Sequence, residues 1–168
     1  MRDADINFTN SSLRERIVEH VFVGEALSTL WKRGVVDVEV LRSEFDAYGY
    51  DLVMARGDIV RHIQFKTGTA RKPGDVSVSQ SLASKPSGCV IWIRLEPDLK
   101  MGPFFWFGST PGEKLPPIFG FPNPMRATAN RQGERPPRKN HRLVPGNRFQ
   151  PLETLDQVLE KLFGDLPG

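Results

Sequence analysis

An acid, an amide and an ammonium fall at suggestive positions on two adjacent stretches of this chain. Asp51-Leu52-Val53-Met54-Ala55 and Ile59-Val60-Arg61-His62-Ile63-Gln64-Phe65-Lys66 both read as strands, and the short Arg56-Gly57-Asp58 turn between them predicts a hairpin. Side chains alternate across a strand, so His62, Gln64 and Lys66 share one face while Ile63 and Phe65 share the other, apolar face. Asp51 is an acid at the head of an apolar run on the neighbouring strand. Cross-strand neighbours lie about 5 Å apart and diagonal ones about 7–8 Å. Asp51, Gln64 and Lys66 can therefore converge on a volume the size of one hydrated metal ion.

A preceding helix offers a fourth member. Residues 12–33 carry Leu13, Ile17, Val18, Val21, Phe22, Leu27, Leu30 and Trp31 at helical spacing, opened by a Ser12…Glu15 capping-box pattern and stopped by Gly34. Glu25 lies four residues from Val21 and seven from Val18, which places it beside apolar positions; a carboxylate on the core side needs a partner or a polar site. Each residue has an ordinary role available: Lys66 as a strand-end lysine, Gln64 as an edge amide, Asp51 as a turn cap, Glu25 as a half-exposed acid. Their joint order and spacing are what point to a site.

The elements that must hold this group follow from the pattern. After the first helix, residues 35–41 read as a strand and the hairpin follows. A short helix is expected over 77–85, strands over 89–95 and 103–107, and a final amphipathic helix over 154–163, opened by a Thr154…Gln157 cap. The order α-β-β-β-α-β-β-α implies an α/β fold with a central mixed sheet flanked by helices. One domain over residues 1–168 is expected, with a core over 12–107 plus a C-terminal helix at 152–164.

That combination, a helix glutamate, then Asp46-Ala47-Tyr48-Gly49-Tyr50-Asp51-Leu52-Val53, then Ile63-Gln64-Phe65-Lys66-Thr67-Gly68, resembles the PD-(D/E)XK nuclease superfamily. The resemblance covers residues 12–107 and implies a restriction-endonuclease-like fold. Asp51 matches the metal-binding aspartate, Lys66 the lysine, and Glu25 the first-helix glutamate of many members. Gln64 stands where Asp or Glu is usual, and Tyr50 where proline is usual. The implied activity is metal-dependent endonucleolytic hydrolysis of DNA, of repair, restriction or defence type. Such chemistry needs a hard divalent cation, Mg²⁺ with Mn²⁺ as substitute, to neutralise phosphoryl charge and activate water. The implied ligands are Asp51, the Gln64 side-chain oxygen, the Phe65 carbonyl and Glu25, with Lys66 orienting water or stabilising developing charge. Because Gln64 lowers the site's negative charge by one relative to Glu, a catalytically inactive nucleic-acid-binding module on the same fold is the alternative. A third possibility is a structural domain in which the polar cluster is incidental. Gln80 resembles a later polar position of some members.

Charge and proline are segregated along the chain. Residues 61–150 are strongly basic while both ends are acidic, so the net +3 conceals a basic middle. Ten of the 14 prolines fall between Pro103 and Pro151, which excludes long helices and central strands there. Residues 108–148 are therefore expected to form a long irregular, substrate-facing arm, with Arg126, Arg131, Arg135, Arg138 and Lys139 as phosphate contacts. Arg71 and Lys72, just past Lys66, are candidates for the same role. A nucleic acid, DNA by the resemblance, is thus the expected partner. Many nucleases of this fold type act as dimers, so a homodimer is also expected, although no stretch marks its interface. The single cysteine, Cys89, lies in an apolar strand and excludes a disulfide framework or a Cys–zinc cluster. No apolar run approaches membrane-helix length and the N-terminus reads as no signal peptide, so a reducing, cytoplasmic location is the expectation.

Overall fold

The computed structural model describes residues 10–45 and 48–168. Helix α1 (Ser11–Lys32) leads into strand β1 (Val38–Leu41), then the hairpin β2 (Leu52–Arg56) and β3 (Ile59–Gly68). Strand β4 (Val76–Ser79) and the short helix α2 (Gln80–Ala83) follow, then β5 (Gly88–Leu95), β6 (Met101–Gly108), β7 (His141–Val144), β8 (Gln150–Leu152) and helix α3 (Leu155–Phe163). The result is a mixed α/β fold: a six-stranded sheet of order β1-β2-β3-β5-β6-β8 and a two-stranded sheet of β4 and β7. All pairings of the large sheet are antiparallel except β3 with β5, which run parallel because β4 and α2 supply the crossover. Among the described residues no helix is long and apolar enough to cross a membrane.

Apolar residues on both faces make this a covered sheet. Leu52, Met54, Ile63, Cys89, Ile91, Ile93, Phe104 and Trp106 point to one face and pack under α1 and α3. Their alternates Val90, Trp92, Phe105 and Phe107 point to the other, beneath Val76, Val78, Leu82, Leu115, Ile118, Val144 and Phe149. The strand alternation that separates Ile63 and Phe65 from Gln64 and Lys66 thus separates two cores, not a core from solvent. Helix α3 opens with the expected capping box, its Thr154 hydroxyl accepting from the Gln157 N–H and the Gln157 amide oxygen accepting from the Thr154 N–H.

Four expectations need correction. Helix α1 starts at Ser11 with Asn10 at its N-cap, two residues before the Ser12 that the capping-box pattern assigned to that position. Its buried line is Val18, Phe22, Ala26 and Leu30, so Leu13, Val21, Leu27 and Trp31 remain exposed despite their helical spacing. Residues 76–79 form a strand where the helix was expected to begin, because β7 returns from the proline-rich segment to pair with them. That segment is consequently not a free arm: Leu115 and Ile118 are buried in the second core, and residues 122–138 fold back on themselves through Arg126 N–H to Pro136 and Arg138 N–H to Pro124.

Candidate active site

Strand β3 outruns its hairpin partner. The β2 ladder ends at Leu52 opposite Ile63, whereas β3 continues to Gly68 paired only with β5. Beyond that point the Asp51 carboxylate takes over from the ladder, its Oδ2 accepting the Phe65 N–H at 2.6 Å. Side-chain capture of a strand N–H holds the carboxylate beside Gln64 and Lys66. From the other face α1 steadies the same strand, the Phe22 and Phe65 rings meeting edge to face at 4.8 Å, a contact worth about 0.5–1.5 kcal/mol beyond burial.

A cavity of about 520 Å³ opens at this uncovered end of β3. Asp51, Gln64, Phe65, Lys66 and Thr67 form its floor; Arg14, Glu15, Val18 and Glu19 of α1 form one wall. Gly49, Ser79, Ser81, Arg138, Asn140 and His141 complete it. Gln64 is 9% exposed, and its Oε1 is buried with no hydrogen-bond partner among the described residues. An orphaned acceptor at the floor of a polar cavity is costly unless something donates to it or coordinates it.

The acids that α1 brings to this cavity are Glu15 and the buried Glu19, not Glu25. Six residues at about 100° each place Glu25 roughly 120° around the helix from Glu19, and Glu25 is exposed. Of the apolar neighbours used to place it, Val18 is buried but Val21, the nearer, is 38% exposed. Glu19 borders the buried Val18–Phe22–Ala26 line, and that adjacency was available in the helical spacing. Its Oε2 accepts from Arg16 at 2.8 Å and from Arg42 at 2.5 Å, so the acid also ties α1 to the segment after β1.

The basic residues divide into groups. Arg138 lines the cavity, and with Asn140 and His141 it also lines an adjoining concavity of about 700 Å³ that includes Arg126, Pro137 and Lys139. Asn123 fixes this shared wall, its side-chain amide donating to the carbonyls of Arg138, Lys139 and His141 at 3.1–3.3 Å. Arg131 and Arg135 sit on the exposed turn around Asn130–Glu134, and Arg71 and Lys72 on the exposed β3–β4 connection; none of the four lines either cavity. His62 donates to or accepts at neither cavity: its Nδ1 meets the Pro86 carbonyl at 2.9 Å and its ring packs on Tyr50. Ser79, Ser81, Asn140 and His141 carried no sequence signal, because only the β4–β7 pairing brings them to Asp51. Asp46 and Ala47 of the matching stretch lie outside the described residues.

Two buried groups on the opposite face are structural. Arg61 donates to the carbonyls of Lys161, Leu162 and Ser109, which closes the C-terminus of α3, and lies 5.3 Å from the Trp106 ring centroid. Burial lowers its pKa, and burial pushes the neighbouring Cys89 thiol up to about 12, only partly opposed by the Arg61 charge.

The donors in the cavity that could hold a hard divalent cation are few. Among the described residues no three His, Cys, Asp or Glu gather as a metal-binding group. Mg²⁺, however, needs only one or two protein carboxylates, since it keeps water and takes substrate phosphate oxygens. Asp51 and the orphaned Gln64 oxygen meet that lower requirement. Compared with known protein families and with curated proteins, the chain matches neither a family model nor a curated sequence.

Proposed function

We propose that this chain is a metal-dependent endonuclease of the PD-(D/E)XK type on a restriction-endonuclease-like fold, hydrolysing phosphodiester bonds of DNA. The observation that carries this is the shared cavity of Asp51, Gln64 and Lys66, with the Gln64 oxygen buried and unsatisfied. Asp51, Gln64 and the Phe65 carbonyl would hold Mg²⁺ or Mn²⁺, with Glu19 taking the part first assigned to Glu25. The bound ion would neutralise phosphoryl charge and lower the pKa of the attacking water. Lys66 sets its ammonium against the scissile phosphate and stabilises the charge that develops there. Asp51, anchored by the Phe65 N–H, keeps its carboxylate directed into the cavity. Arg138 and Lys139 hold flanking phosphates along the shared wall, which orients the strand over Lys66.

One observation favours the second reading, a binding module without catalysis. Glu19 is already engaged by Arg16 and Arg42, which leaves Asp51 on the floor and Glu15 on the wall as the remaining carboxylates for a cation. Cleavage of branched, single- and double-stranded DNA with Mn²⁺ decides between them. Wild type is expected to cleave at least one substrate; Lys66→Ala is expected to lose about 10²–10³-fold in rate while keeping most DNA affinity. Mn²⁺ binding by calorimetry that persists unchanged in Asp51→Ala refutes the metal site. DNA binding without cleavage by wild type selects the module.

A further inference from the structure

Two exposed aromatic rings lie outside the linings of both cavities and have no part in the proposed hydrolysis. Tyr48 is 46% exposed and Phe119 is 77% exposed. Each has a cation against its ring: Lys85 Nζ lies 4.1 Å from the Tyr48 centroid, and the Arg142 guanidinium 5.2 Å from the Phe119 centroid. Singly, an exposed aromatic is ordinary. Here the cations behind the two rings flank the two ends of one short helix, α2. Lys85 follows α2 by two residues, and Arg142 reaches the side-chain amide of Gln80, the first residue of α2, donating to its oxygen at 2.6 and 2.7 Å once that amide is turned to satisfy both groups.

Each ring is nonetheless linked to a residue that lines the cavity. Tyr48 precedes Gly49, which lines the cavity, and stands three residues before Asp51. Arg142 follows His141 of the cavity wall, and its Nε donates to the Phe119 carbonyl at 3.3 Å. A ring backed by a cation and open to solvent offers the flat, stiff surface on which a nucleobase stacks, and a nearby basic wall supplies the backbone contacts. Bases inside a duplex have no free π-face, so such rings serve only unpaired or extruded bases.

We infer that Tyr48 and Phe119 are stacking platforms for unpaired nucleobases flanking the scissile phosphate, so that the substrate is a single-stranded or locally opened strand and not continuous duplex. This rests on the nucleic-acid reading of the cavity. The test is fluorescence anisotropy in EDTA, where no hydrolysis occurs, with a labelled oligo-dT of about 20 nucleotides and a duplex of equal length. Oligo-dT is expected to bind about tenfold or more tightly than duplex. Tyr48→Ala and Phe119→Ala should each weaken oligo-dT binding by about 5- to 100-fold and leave duplex binding within about twofold. The ring-keeping variants Tyr48→Phe and Phe119→Tyr should stay within about twofold of wild type on both probes. Circular dichroism melts of all variants should match wild type, because both side chains are exposed. Equal affinity for the two probes, or alanine variants that bind oligo-dT like wild type, overturns the inference. Absence of Mn²⁺-dependent cleavage, with the stacking pattern intact, refutes the nuclease and leaves the platforms standing; cleavage of continuous duplex without any strand preference does the reverse.

Discussion

Gly49 is where the position of Asp51 is most open to a designed disturbance. Its φ of +72° belongs to the left-handed region, and an added Cβ would overlap the Ser79 Cβ and come within 2.8 Å of the Ser79 Oγ. Two separable costs follow for Gly49→Ala. Left-handed backbone costs a non-glycine residue about 1–2 kcal/mol, and forcing a methyl into occupied space costs about 1–3 kcal/mol. The sum, about 2–5 kcal/mol, corresponds to roughly 5–15 °C in Tm for a chain of this size. Ser79→Gly removes the obstructing Cβ and, as an N-cap change from Ser to Gly, costs only a few tenths of a kcal/mol. The double variant should therefore retain the backbone cost and lose the steric one, giving a coupling energy of about 1–3 kcal/mol. Urea unfolding of the four proteins, at constant m-value, measures it. DNA cleavage should fall in Gly49→Ala by more than the unfolded fraction explains and recover in part in the double variant. A coupling energy below about 0.5 kcal/mol would refute the claim that this loop is seated by contact with Ser79.

Three further outcomes follow from named groups. Gln64→Glu adds one negative charge beside Asp51 and should tighten Mn²⁺ binding several-fold by calorimetry; unchanged or weaker binding would place Gln64 outside the ligand set. Cys89, with its thiol raised to about 12 from 9.0, keeps its proton longer in the folded than in the unfolded chain. Its contribution is thus fully present below about pH 9 and is lost as pH rises towards 12, at about 1.4 kcal/mol per pH unit; the stability difference between wild type and Cys89→Ala in urea should shrink accordingly between pH 8 and pH 10. Arg61→Leu removes the donor to three carbonyls and should cost about 2–4 kcal/mol in urea unfolding, with loss of helical signal from α3; a neutral result would show that those carbonyls find other donors.

Local pattern was enough for most of the scaffold and for the floor of the cavity. Period-two alternation placed Gln64 and Lys66 together because a strand leaves a side chain no other choice, and the Arg56-Gly57-Asp58 turn put Asp51 just before the neighbouring strand. Thr154 and Gln157 announced α3 because a capping box is satisfied within four residues. What lies beyond such spans belonged to tertiary structure. Which face of α1 is buried depends on the sheet beneath it, and that choice selected Glu19 over Glu25 and left Trp31 72% exposed. Residues 76–79 became a strand only because β7, more than 60 residues later, supplied its hydrogen-bond partners. The same pairing carried Arg138, Asn140 and His141 to the cavity that Asp51 lines, and the two segments hold no mutual sequence signal, since hydrogen bonding along a ladder reads backbone and not side-chain identity.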